Sequence, residues 1–125
     1  LRRLPEEARQ GYGKDIDNFT YGAETYDGII LAALAAEKGG SADGETIQKN
    51  MAAVSGATGG DECTTYKDCV AAIKAGKDIK YKGLTGIGAF NKNNDPSSAN
   101  IGVYVFDGDN KPVFDHTQEG KVPTD

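Results

Sequence analysis

Residues Tyr26–Gly39 read YDGIILAALAAEKG, and the segment Ile29–Ala36 within them is apolar without a break. A surface helix carries one apolar stripe and one polar face, whereas a helix that is apolar on nearly all sides needs cover on nearly all sides. Thr20 is the expected N-cap, Glu24 and Asp27 lie in the early turns where negative charge is favoured, and Gly39-Gly40 is the expected stop. The spacing therefore predicts a buried helix from Tyr21 to Lys38. A chain of 125 residues offers little material to enclose it, so the helix is expected to meet polypeptide beyond this chain or a second copy of it. The opening Leu1-Arg2-Arg3-Leu4-Pro5, without Met, is read as internal to a longer protein.

Downstream, Ile47, Met51 and Val54 repeat at helical spacing, predicting a helix over Gly44–Val54 capped by Asp43 or Ser41. Tyr66, Val70 and Ile73 predict a third helix ending near Ala75, capped by Thr64 or Thr65. After Gly76 the period becomes strand-like. Ile79 and Tyr81 alternate with Lys80 and Lys82, a Gly-rich strand is expected over Leu84–Phe90, and Asn91–Ser98 reads as a polar loop. Ile101, Val103 and Val105 alternate with Gly102, Tyr104 and Phe106, and Asp107-Gly108-Asp109-Asn110 turns the chain into a short return strand at Val113-Phe114. The expected fold class is α/β, with three helices followed by four short strands. Residues 1–19 form a polar N-terminal segment with a short helix starting at Pro5, 20–116 the main domain, and 117–125 a loose tail.

The net charge of −5 and scattered Lys and Arg argue against nucleic acid as a partner. No apolar run approaches the ~18 residues of a membrane span. Cys63 and Cys69 are not spaced as CxxC, and with His116 the only histidine they cannot complete a zinc site of about four ligands. A disulfide is the expected state, and with it an extracytoplasmic location. No metal site and no cofactor are expected. Asn91–Asp95 has alternating oxygens, but Pro96 stands where a calcium loop needs Gly, and Gly102 where it needs Glu. His116 without a G-x-S-x-G elbow gives no support to nucleophilic catalysis, so no catalytic residue is assigned. Gly83, Gly86 and Gly88 lack the Lys and Ser/Thr of a phosphate loop, and close backbone approach is the better account of them.

Taken in order, YDGIILAALAAEKGG, TIQKNMAAVSG, CTTYKDCVAAIKAGKDIKYKG and LTGIGAFNKNNDPSSANIGVYVFDGDN resemble the C-terminal third of the solute-binding proteins of branched-chain amino-acid-type ABC transporters, in the type I periplasmic-binding-protein family. That family's Tyr-Asp-Ala helix stands here as Tyr26-Asp27-Gly28. Its Gly-x-x-x-Phe-x-x-x-Gly-Asp hairpin stands as Gly86, Phe90, Asn94 and Asp95, with Asn replacing the turn glycine. Asn tolerates the left-handed backbone such a turn needs. The likeness spans residues 15–115, and the cysteine segment is similar to that of exported actinobacterial members.

The resemblance implies a two-lobed bacterial receptor that closes on an amino acid or similar small solute and delivers it to a membrane permease. It places the Tyr26 helix against a sheet beside the cleft and the strands after Gly83 near the hinge. Tyr26 is the first candidate to face ligand, because an aromatic ring can cover an aliphatic side chain, and Asp27 and Glu24 are candidates for an ammonium partner. Each also has a plain structural reading, Tyr26 as a core residue and the two acids as partners of the helix dipole. This chain by itself is expected to lack most ligand contacts and to self-associate through exposed apolar surface. Two rival readings are a secreted interaction or adhesion domain that folds alone, and a small hydrolase built on His116.

Overall fold

The computed structural model describes residues 20–122. The elements run in the order α1 (Gly22–Gly39), α2 (Gly44–Val54), β1 (Asp61–Cys63), α3 (Tyr66–Lys74), β2 (Ile79–Tyr81), β3 (Ser98–Phe106) and β4 (Pro112–Lys121). The architecture is mixed α/β, with three helices and two small sheets. The predicted Pro5 helix and the rest of residues 1–19 lie outside the described residues, as do 123–125.

The caps largely follow the chemistry of the sequence. Asp43 caps α2 by accepting from the Thr46 N–H at 2.9 Å, and Thr65 caps α3 by accepting from the Asp68 N–H at 3.2 Å. Gly40 ends α1 in the left-handed region (φ 74°), its N–H donating to Ala36 O. The start of α1 differs. Tyr21, at φ 59°, occupies the cap position without a side-chain bond, so Thr20 is not the N-cap.

Three expectations are corrected. The strands do not all follow the helices, because β1 lies between α2 and α3 and pairs in parallel with β2, making α3 the crossover of a βαβ unit. Residues Leu84–Phe90 form no strand, and their nearest approach to one is an isolated bridge between Phe90 and Pro96. The return strand does not stop at Phe114. Thr117–Lys121, expected to be loose, belong to β4, whose register runs to Ser98↔Lys121.

The core gathers Leu31, Leu34 and Ala35 of α1, Val54 of α2, Cys63 and Cys69, and Ile79 and Tyr81 of β2. The main neighbours of α1 are α2 and α3, not the sheet the resemblance implied. Its apolar run is only partly covered, since Ile29 is 64% exposed and Ile30, Ala32, Ala33 and Ala36 are half-buried. Cys63 and Cys69 form a disulfide, with Cα atoms 5.4 Å apart, that fastens β1 to α3. No helix among the described residues is long and apolar enough to cross a membrane.

Two predictions follow from these attachments. Closing so short a loop contributes about 2 kcal/mol in the chain-entropy model, so a Cys63→Ala/Cys69→Ala variant should unfold in urea with a stability lower by about that amount. An unchanged midpoint would show that the bridge fastens nothing. Hydrogen bonds from the Ser41 hydroxyl and then Thr46 lower the Asp43 pKa from 3.8 to about 2. A depressed carboxylate pKa stabilises the fold above the ordinary value and loses that effect as pH falls through the folded value. Thermal melts should therefore show a gap between the native chain and Asp43→Ala that is full above pH 3.8 and closes toward pH 2.

Candidate functional site

Asp27 lies in the second turn of α1 and is 2% exposed. A carboxylate cannot be taken from water without compensation, and four donors supply it. Its Oδ1 accepts from the Tyr81 hydroxyl and the Leu84 N–H, both at 3.0 Å. Its Oδ2 accepts from the Thr85 N–H at 2.9 Å and the Thr85 hydroxyl at 2.8 Å. One side chain thus ties the start of α1 to the end of β2 and to the loop beyond it.

That loop, residues 82–90, is held at its far end too. The Phe90 N–H donates to Ser55 Oγ at 2.7 Å, and the buried Ser55 hydroxyl donates to Ala52 O at 2.7 Å, at the close of α2. Two of its glycines have separate causes. A Cβ at Gly83 would collide with the Asp27 carboxylate, so only glycine lets the backbone N–H groups of Leu84 and Thr85 come within bonding range. Gly86 has φ +67°, the left-handed conformation that other residues adopt with strain.

Between α1, Ser55, Tyr81 and this loop lies an open cleft whose enclosed space is about 10 Å³, with Leu31, Thr85, Ile87 and Phe90 on its walls. That is no more than the ~10–15 Å³ a single water needs, so this cleft alone does not enclose an amino acid.

The sequence candidates divide. Tyr26, Asp27 and Glu24 share the first turns of α1, but only Asp27 lines the cleft. Tyr26 is half-buried and Glu24 exposed. Asp27 spends both oxygens on the chain's own donors, as a structural carboxylate does. Tyr81, Thr85 and Ser55 were not singled out from the sequence. Tyr81 and Thr85 lie 54 and 58 residues from Asp27, so no local pattern joins them to it. His116, expected near a loose tail, stands exposed on β4, with Nδ1 2.7 Å from Asp115 Oδ2, and it does not line the cleft. No group of three or more His, Cys, Asp or Glu among the described residues could hold a metal ion.

Burial, then the adjacent Asp27 charge and hydrogen bond, push the Tyr81 phenol well above its ordinary pKa of 10.0. The folded state therefore favours the protonated phenol. Its contribution is complete below pH 10.0 and is lost as the solution becomes more alkaline.

Compared with protein-family models, with curated proteins and with solved structures, the chain matches none. The geometry itself makes the prediction. Asp27→Ala strands four donors and should lower stability by about 3 kcal/mol, whereas Tyr81→Phe removes one and should cost about 1 kcal/mol. The gap between native and Tyr81→Phe should narrow above pH 10.0 in urea titrations. Equal small losses for both variants would show that Asp27 is not the fastening point.

Proposed function

We propose that this chain is part of an extracytoplasmic solute-binding protein that captures an amino acid or similar small solute for uptake through an ABC-type membrane permease. The observation that carries the reading is the closeness of its two motifs. Tyr26-Asp27-Gly28 and the hairpin motif that starts at Gly86 are far apart in sequence, yet Asp27 binds Leu84 and Thr85, the two residues just before that motif. The turn that replaces the family's glycine also has the required backbone, with Asn94 at φ 62°. The βαβ unit is the building block of an α/β lobe, and the disulfide is compatible with an extracytoplasmic location.

In this reading ligand selects a closed arrangement of two lobes. The 83–90 loop forms one wall of the cleft, and the remaining contacts come from a second lobe. The rival reading as a self-folding interaction domain draws on the well-satisfied helical core, in which no buried side-chain polar atom among the described residues lacks a partner. Ile29, left largely exposed, favours the receptor.

The test is titration of this chain with leucine, isoleucine and valine. Calorimetry should show no micromolar binding. In NMR titrations to millimolar ligand, the amide shifts that do arise should cluster at Tyr26 and in residues 83–90. Micromolar affinity would show a complete site and overturn the divided-cleft reading. Shifts elsewhere, or none at all, would remove the receptor reading.

A further inference from the structure

Among the described residues the hairpin β3–β4 is the least covered part. It forms a two-stranded sheet of its own. Apart from a bond at Ser98, where the Gly88 N–H donates to the carbonyl, the outer edge of β3 pairs with nothing among the described residues. Pairing and alternation set Ile101, Val103, Val105 and Val113 on one face, and Tyr104, Phe106 and Phe114 on the other. Tyr104 and Phe114 meet edge to face at 5.7 Å, yet both stay more than half exposed, and Phe106 is 71% exposed. A two-stranded hairpin with solvent on both faces is marginal alone.

Its two edges are built differently. β4 has the devices that keep an edge from pairing: Pro112 at its start, the charged or titratable Asp115, His116, Glu119 and Lys121, and a bulge where Asp115 falls between the partners of Val103 and Tyr104. β3, SANIGVYVF, has no charge, no proline and no bulge, and Ile101, Val103, Tyr104 and Val105 have high β-propensity. One edge is closed to added strands and the other is left as a template.

We propose that the outer edge of β3 pairs antiparallel with β3 of a second copy of this chain, about a two-fold axis near Gly102. An antiparallel two-fold pairing brings the residues beside its axis next to their own copies, so a charge there would meet its like, and β3 is free of charge along its whole length. The acidic turn fixes the direction. Parallel pairing would stack Asp107 and Asp109 of one copy on those of the other, whereas antiparallel pairing sends the two turns to opposite ends of the strand, near the end where Lys121 pairs with Ser98. The product is a four-stranded sheet with β4 strands, the guarded edges, on its outside. This inference is independent of the solute-binding reading.

Sedimentation equilibrium and hydrogen exchange on the oxidised chain test it, with circular dichroism confirming that each variant folds. The native chain should sediment as a dimer at micromolar concentrations, with amides between 100 and 106 protected in a concentration-dependent way. Ile101→Lys and Val103→Lys, each one residue from the axis, bring like charges together as diagonal neighbours and should weaken dimerisation by at least about tenfold. Ile29→Lys, on the exposed side of α1, should leave it unchanged. A monomer at all concentrations overturns the proposal, as does a dimer that survives both β3 substitutions or is lost only on Ile29→Lys. Protection of 100–106 in a monomer also overturns it, since that gives the edge to another part of the same chain.

Discussion

The buried carboxylate of Asp27 constrains everything around it. Removed from water, it has to be met by donors, and the donors available come from β2 and from the residues just after it. Meeting them fixes the direction in which the chain leaves β2, draws the backbone against α1, and demands glycine at position 83. The apolar core beneath could accept several packings of similar volume. The directional requirement of one charged group selects among them, because a misplaced loop would strand a charge and leave Tyr81 unpaired.

The same constraint explains why residues 84–90 do not become a strand. A strand would commit the N–H groups of Leu84 and Thr85 to a neighbouring ladder, and Asp27 takes them first. Gly86, held in the left-handed region, then breaks the extended path. The alternation that suggests a strand is present, but charge-assisted hydrogen bonds are stronger than the neutral bonds of a two-stranded sheet edge.

Legibility in the sequence follows the range of the interactions concerned. The cap of α2, the cap of α3 and the glycine stop of α1 are set within a few residues, so the sequence narrows each to a pair (Asp43 or Ser41, Thr64 or Thr65, Gly39-Gly40) and the fold uses Asp43, Thr65 and Gly40. The alternation of Ile79 and Tyr81 is equally local. β1 was not readable, because Asp-Glu-Cys has no strand signature of its own and extends only through β2 and the disulfide. Thr117–Lys121 are polar enough to pass for a tail, yet the ladder begun at the Asp107 turn runs on to Lys121. At the site, Asp27 stood out as an acid early in an apolar helix, but its partners are supplied by the tertiary fold. A search for the buried phenol and the glycine that a buried carboxylate needs would have pointed to Tyr81 and Gly83.

The described residues thus fall into two unequal parts joined by one strap. The helices and the βαβ unit share a core and satisfy their own polar groups, while the hairpin has open faces and one open edge. Local stability follows buried contacts, so the hairpin belongs to the low-stability end of the fold and the core to the high end. The strap is fixed to α1 through Asp27 and to the end of α2 through Ser55, and the exposed Gly86 lies between those two anchors. Asn94 Nδ2 also donates to Gln48 O of α2, so any reorientation of the hairpin against the core must turn between Asn94 and Ser98 or release the neutral bonds to Ser55 and Gln48. Those bonds are weaker than the charge-assisted ones at Asp27, which makes the Phe90 end of the cleft wall, and not the helical core, the place where movement of the hairpin would be felt.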